Sequence, residues 1–261
     1  MNEQTVERLE VSIKTPAGLL TTPVEVPTGF VPVSEIVPIM RRLGEQAQAL
    51  EERKAIAAGE TISCKKGCAA CCRMLVPVSA PEAFALRDMI AKMPAGRRQA
   101  TVTKVAAARA RLERAGLLAR LTEIAETGRQ LTDEEMEPIN RDYYALRMPC
   151  PFLDNEACSI YEDRPAACRE LLVTSPAELC QDMVKNPVRP LPVPVRMSTV
   201  LGLLWSDLSG GPARLIPLPI ALDWAERHAN EGAGTWKGSS LFEQALDKVW
   251  RSLNQAMGDR R

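Results

Sequence analysis

The chain has 261 residues, with 33 Lys plus Arg balanced by 33 Asp plus Glu and a hydrophobic share of 46%, enough to bury the core of one large domain. A formal net charge of zero leaves no global field to attract a polyanion, which excludes polyelectrolyte-type nucleic-acid binding, and the hydrophobic share excludes disorder as the default state. No apolar run approaches the ~18 residues a membrane span needs, and Met1-Asn2-Glu3-Gln4 lacks the features of a signal peptide, so the sequence predicts a soluble cytoplasmic protein with no membrane partner.

In chain order, Leu9-Glu10-Val11-Ser12-Ile13 alternates apolar and polar residues, and Val24-Glu25-Val26 does so again, which predicts a small edge hairpin. Ser34 opens a helical pattern in which Leu43, Ala47 and Leu50 share one face while Arg41, Glu45, Glu51 and Arg53 face away, ending near Gly59. Pro81 to Met93 reads as a helix closed by Pro94 and Gly96. The stretch from Arg97 to Gly128 has the Ala, Leu, Arg and Glu composition of long helices. Thr132-x-x-Glu135 is a capping box for another helix, with Pro138 inside it. Prolines from Asn186 to Pro194 stand too densely for a helix or central strand, and predict an extended connector. Ser240-x-x-Glu243 caps a last helix with Phe242, Leu246, Val249, Trp250 and Leu253 in one stripe and Gly258 just past its end. The expected fold is mainly α with a few short β-strands, a single irregular domain over 1–261 organised around a cysteine-ligated metal centre. Its metal-binding core would be 59–180, with a helical excursion at 81–148, and the helical region 183–261 would pack on that core.

Eight cysteines carry the functional signal. Cys64, Cys68, Cys71 and Cys72 form C-x3-C-x2-C-C, and Cys150, Cys158, Cys168 and Cys180 form C-x7-C-x9-C-x11-C. If the first segment is helical its four sulfurs share a face, and if it is a loop Gly67 lets it curl around a metal. Thiolates this crowded repel one another unless a cation or cluster draws their charge, and Lys65, Lys66, Arg73, Arg164 and Arg169 fit the same logic. An iron-sulfur cluster or a tetrahedral zinc site each takes four sulfurs, so eight fill two sites or one with spares. Iron-sulfur is the preferred occupant, because eight sulfurs with an adjacent pair exceed one zinc site. Arg164-Pro165 should start a short helix that presents Cys168 beside a hairpin carrying Cys158.

Cys64-x3-Cys68-x2-Cys71-Cys72, followed by Cys150-Pro151-Phe152-Leu153, Cys158-Ser159-Ile160-Tyr161 and Asp163-Arg164-Pro165-x2-Cys168-Arg169, resembles the YkgJ-type cysteine-cluster family. That family is described as a zinc- or iron-chelating domain and includes relatives of flagellin lysine N-methylase. The resemblance implies a metal centre, with Cys64, Cys68, Cys71, Cys72, Cys150, Cys158 and Cys168 on the family pattern and Cys180 as the eighth candidate. For the methylase relatives it implies an iron-sulfur cluster used in methyl transfer from S-adenosylmethionine. Only metal binding carries over, since the methylase's substrate-recognition regions are not identifiable in this chain. A zinc-stabilised structural or interaction protein is the remaining alternative.

Cys64-x3-Cys68-x2-Cys71 also has the spacing of radical S-adenosylmethionine enzymes, but their parallel barrel would need alternating buried strands and helices, which this sequence lacks. His228, the only histidine, shares a helical face with Ala221, Trp224 and Ala225 and reads as a packed residue rather than a ligand. Arg97, Lys104 and Arg111, with Arg98, Arg109, Arg114 and Arg120 nearby, read as a solvated helix face, the alternative being a docking surface for an acidic protein partner. Asp133-Glu134-Glu135 complements a helix dipole. Tyr161, Asp163 and Arg164 stand between ligand candidates, where they would orient ligands or donate hydrogen bonds to sulfur.

Overall fold

A computed structural model describes residues 5–127, 129, 131–183 and 185–258, so Met1 to Gln4 and Gly128 lie outside the described residues. Strands β1 (Val6–Thr15) and β2 (Gly18–Pro27) form the predicted hairpin, longer than the alternating cores suggested, with Val11 opposite Thr22 and Ile13 opposite Leu20. Val11, Ile13, Val24 and Val26 turn one face inward, onto α1 (Val37–Ala57) and the C-terminal helix. Pro23, which has no N–H to donate, is tolerated because the sheet has only these two strands. Strand β3 (Phe30–Pro32) and a 3-10 turn, Val33–Ile36, lead into α1.

Pro38 sits in the first turn of α1, where its missing N–H costs nothing, and the helix stops at Gly59 with φ +84°. The outward face expected for this helix is narrower than predicted. Glu51 is buried, and Arg41 points at the carbonyls of Asp163 and Arg164, because elements far along the chain cover that side. Strand β4 (Pro77–Val78) precedes α2 (Ala80–Ala91), which starts at a full Ser79/Glu82 capping box. The long helical stretch divides into α3 (Ala95–Arg114) and α4 (Leu118–Glu126). Gly116, at φ +71°, donates to Glu113 and Leu117 donates back to Leu112, a Schellman ending with both leucines buried. Helix α5 (Asp133–Ala145) has the predicted Thr132/Glu135 box and carries Pro138 inside it.

Strands β5 (Leu153–Asp154) and β6 (Ala157–Cys158) form a minimal hairpin whose turn residues Asn155 and Glu156 both have positive φ, 48° and 59°, as a type I′ turn requires. Helix α6 (Ala166–Glu170) follows Pro165. A 3-10 helix, Ala177–Asp182, leads to the extended proline segment, which is tied back by the Val173–Pro190 bridge. Then come α7 (Met197–Ser209), β7 (Ile216–Pro217) paired with β4, α8 (Ala221–Arg227), α9 (Ala229–Gly232), β8 (Thr235–Lys237) paired with β3, and α10 (Gly238–Gly258).

Helix α10 begins two residues before the predicted Ser240 cap. Gly238 passes so close to Pro27 that a Cβ there would stand 2.3 Å from its carbonyl oxygen, so the chain enters the helix at the only residue that fits. Its stripe of Phe242, Leu246, Val249 and Leu253 is buried as predicted, but Trp250 is 45% exposed. At about 100° per residue Trp250 falls roughly 80° around from Phe242, at the edge of the stripe. Buried side chains from Val11 to Leu253 form a contiguous core centred on aromatic residues, with Phe84 edge-on to Trp205 at 5.3 Å and against Trp224 at 5.4 Å. The fold is mainly helical with short strands, and the described sheets are all two-stranded and antiparallel, which is not the barrel of a radical enzyme. No helix among the described residues is long and apolar enough to cross a membrane.

Candidate metal centre

Both cysteine groups lie on short, irregular pieces of backbone that hydrogen bonds pin to each other. The first group is neither one helix nor one loop. A turn closes from Cys68 N–H to the Lys65 carbonyl with Gly67 at φ +91°, and a single 3-10 turn, Ala70–Arg73, follows. Ser63 donates to Val173, which sets Cys64 beside the strand-like segment after α6, and Cys150 donates to the Cys72 carbonyl at 2.8 Å. That second bond joins the two groups directly. The β5–β6 hairpin then delivers Cys158, and α6 delivers Cys168 one turn after Pro165, as the Arg-Pro pair predicted.

Six sulfur-bearing residues, Cys68, Cys71, Cys72, Cys150, Cys158 and Cys168, line one cavity of about 150 Å³. Tyr161 and Arg164 complete its polar side, while Leu75, Phe152 and Leu171 wall it with apolar surface. Cys64 and Cys180 do not line it. They lie behind Cys68 in a small apolar cluster with Ala70, Val173 and Met183, where the Val173 N–H donates to the Cys64 sulfur at 3.3 Å. All eight cysteines are free thiols, Cys180 buried and the other seven partly exposed. Among the described residues no three His, Cys, Asp or Glu side chains stand in metal-holding geometry. Of the expected fold, the mainly helical architecture with short strands is present, and the thiols of both groups are gathered without a closed coordination set among the described residues.

Burial acts on most of these thiols in one direction. A hydrogen bond with Cys72, burial and the neighbouring sulfur together hold the Cys71 thiol far above the usual range. Burial pushes Cys150 up to about 12, with smaller contributions from Cys158 and Cys71. Cys168 is raised well above its ordinary value by burial and then by Cys150 and Cys71, and burial raises Cys64, Cys158 and Cys180 as well. With no metal bound these thiols favour the protonated form, and a metal held there would have to displace their protons. Cys71 recurs as a neighbour of Cys64, Cys150, Cys158, Cys168 and Cys180, which makes it the hinge between the two groups.

Residues 63–181 match the CxxCxxCC family, a putative zinc- or iron-chelating domain. The match takes in all eight cysteines and agrees with the resemblance carried by their spacing. It supports metal binding by this segment. No curated protein and no solved structure matches the chain.

The two cysteine groups are held in place by residues outside the cysteine motifs, and most of these were not evident from the motifs. The basic side chains of α3 and α4, read as a solvated helix face with a docking surface as the alternative, are mostly exposed, and several also pair with other parts of the molecule. Lys104 pairs with Asp154 and Arg97 donates to the Ser159 carbonyl, so α3 clamps both ends of the Cys158 hairpin. Arg111 donates to Leu146, Arg109 pairs with Asp223 and Arg120 with Asp142. Arg73 makes a bidentate pair with Glu156 at the hairpin turn, Arg169 pairs with Glu45 of α1, and Arg41 pairs with Asp163 at 3.5 Å. His228 is a packed residue, as expected, stacked on Trp224 at 4.2 Å and set between Glu126 and Glu231. Glu82, for which the sequence suggested no role, caps α2 and also reaches α6.

Proposed function

We propose that the CxxCxxCC domain binds an iron-sulfur cluster between its two cysteine groups, with Cys68, Cys71, Cys72, Cys150, Cys158 and Cys168 supplying the ligand set. The single observation that carries this reading is the cavity of about 150 Å³ lined by six cysteines from both groups. Either occupant takes four of the six sulfurs, but a lone zinc ion, with ligands at about 2.3 Å, would draw its four to one point. A multi-atom cluster uses the volume between more widely set sulfurs, and its thiolate ligands tolerate a cavity walled on one side by apolar residues. Soft sulfur donors without an accompanying imidazole or carboxylate suit zinc or iron and disfavour magnesium or calcium. When bound, such a cluster supplies one-electron redox chemistry or an iron site open to a ligand.

Cys64 and Cys180 stand outside the cavity lining, in a position to support Cys68 rather than to meet the same centre. The reading implies a reducing compartment such as the cytoplasm, where eight thiols stay free. Zinc held by four of the cavity cysteines, as a structural element, is the second reading, since the family description names zinc beside iron. Transfer of a methyl group from S-adenosylmethionine remains an implication of the resemblance alone. Anaerobic purification followed by metal and sulfide analysis and an absorption spectrum tests the proposal. Iron and sulfide with visible absorption that bleaches on reduction is expected. A colourless protein with stoichiometric zinc would move the assignment to zinc, and a protein that takes up neither metal would overturn both.

A further inference from the structure

Three arginines near the cysteine groups are neutralised. Arg41 faces Asp163, Arg73 faces Glu156 at 2.7 Å, and Arg169 faces Glu45. Lys66, on the far side of the Tyr161 ring at 5.0 Å, pairs with Glu162 at 3.8 Å. Arg164 differs from all of them. Its Nε donates to the Tyr161 carbonyl at 3.1 Å and its guanidinium lies 3.8 Å over the Tyr161 ring, but it forms no ion pair with a carboxylate among the described residues. It is also the one arginine that lines the cavity with the six cysteines. A half-buried cation without a counter-charge is costly, and the stack on Tyr161 fixes its plane without neutralising it.

We infer that Arg164 is the counter-cation of the sulfur centre, held by Tyr161 so that its charge offsets the negative charge of thiolates gathered around a bound metal or cluster. The inference rests on the metal-binding reading and assigns a charge-balancing, positioning role to one residue of that site. Other arginines near the motif are engaged in holding the fold, so removing them should loosen the scaffold, whereas removing Arg164 should act on the centre itself.

The test compares wild type with Arg164→Lys, Arg164→Gln and Tyr161→Leu, each loaded anaerobically with iron and sulfide and, separately, titrated with zinc against a competing chelator. Far-UV circular dichroism and thermal unfolding of the metal-free proteins monitor the fold. R164Q is expected to weaken apparent metal affinity roughly 10- to 100-fold and to lower the cluster's reduction potential, while R164K stays within a few-fold of wild type. Y161L, which keeps the charge but frees the side chain, should fall between them. Should R164Q not fold, the pair R164Q/A167K and R164Q/A167Q repeats the comparison with the charge moved to Ala167, another residue of the cavity wall. Lysine binding metal more tightly than glutamine there supports the inference, and equal affinities overturn it. Equal losses in R164K and R164Q, or a folded R164Q within two-fold of wild type, likewise overturn it. Failure of wild type itself to take up metal would instead sink the function proposed above.

Discussion

Glu82 of α2 accepts a hydrogen bond from the backbone N–H of Ala166 at 2.8 Å, two residues before Cys168. Its other carboxyl oxygen accepts from Ser79 N–H at 2.8 Å, from the Ser79 hydroxyl at 2.7 Å and from the Ser198 hydroxyl of α7. One buried carboxylate thus caps its own helix, meets the first turn of α6 and ties both to α7.

Replacing Glu82 with Gln turns an NH2 group toward donors and leaves at least one of them unsatisfied in the interior. The expected cost is about 2–4 kcal/mol of folding stability, read by urea denaturation, because bonds to a charged acceptor are worth ~1.5–3 kcal/mol and orphaned groups add to the loss. Metal content should fall with it, since α6 presents Cys168. Unchanged stability would show that Ser79 and Ala166 find other acceptors.

The division of the cysteines predicts two classes of serine variant. Cys71→Ser and Cys168→Ser, on opposite sides of the cavity, should lower metal content and disturb the same spectroscopic signal, while Cys64→Ser and Cys180→Ser should leave most of it. Cys68→Ser should lower metal content and thermal stability together, because a metal shared by the two groups closes a long loop and binding energy becomes folding energy. Two independent signals, each lost with only one group, would establish two separate centres.

Clamping of the Cys158 hairpin by α3 can be separated from ligation. Lys104→Ala removes the pair with Asp154, which is exposed enough that only about 0.5–1 kcal/mol of stability should be lost. A Lys104/Asp154 double-mutant cycle measures the coupling. Metal affinity falling by more than this energy accounts for would reveal that hairpin placement, rather than global stability, limits the site.

Acid sensitivity has an identifiable source away from the cysteines. Burial alone would raise the Glu126 carboxyl, but hydrogen bonds with His228 and Arg227 outweigh it and the pKa lies below its ordinary value. A carboxyl depressed in the folded state contributes stability above its unfolded pKa of ~4.3, and that contribution is lost as pH falls through the folded value. Glu126 also accepts from Arg214 at 3.0 Å. Since the carboxylate is about a third exposed, solvent screening limits the effect to about 1 kcal/mol, so E126Q should destabilise at pH 7 and differ little from wild type at pH 3. Equal losses at both pH values would assign the effect to packing.

Gly116→Ala isolates backbone geometry. Nothing lies within 4 Å of the Cβ it would introduce, so the expected loss of about 1 kcal/mol comes from φ +71° alone, and calorimetry should find a lower Tm with metal content unchanged.

What the sequence by itself determined were features set by neighbours along the chain. The alternation in β1 and β2, the Thr132/Glu135 box, the buried stripe of α10 and the short helix after Arg164-Pro165 all follow from local sterics and periodicity. The paired cysteine spacing likewise announced a sulfur-rich site. Other outcomes needed the packed molecule. Which six of eight cysteines face one cavity depends on Cys150 docking on the Cys72 carbonyl, a bond between residues 78 positions apart that no local pattern encodes. The break at Gly116, where a long helix was expected, places α4 against β7. The burial of Glu51, the second bond of Glu82 and the unpaired charge of Arg164 each depend on what the rest of the chain brings alongside. A side chain's periodic position states which way it points, and only the tertiary structure decides what it meets there.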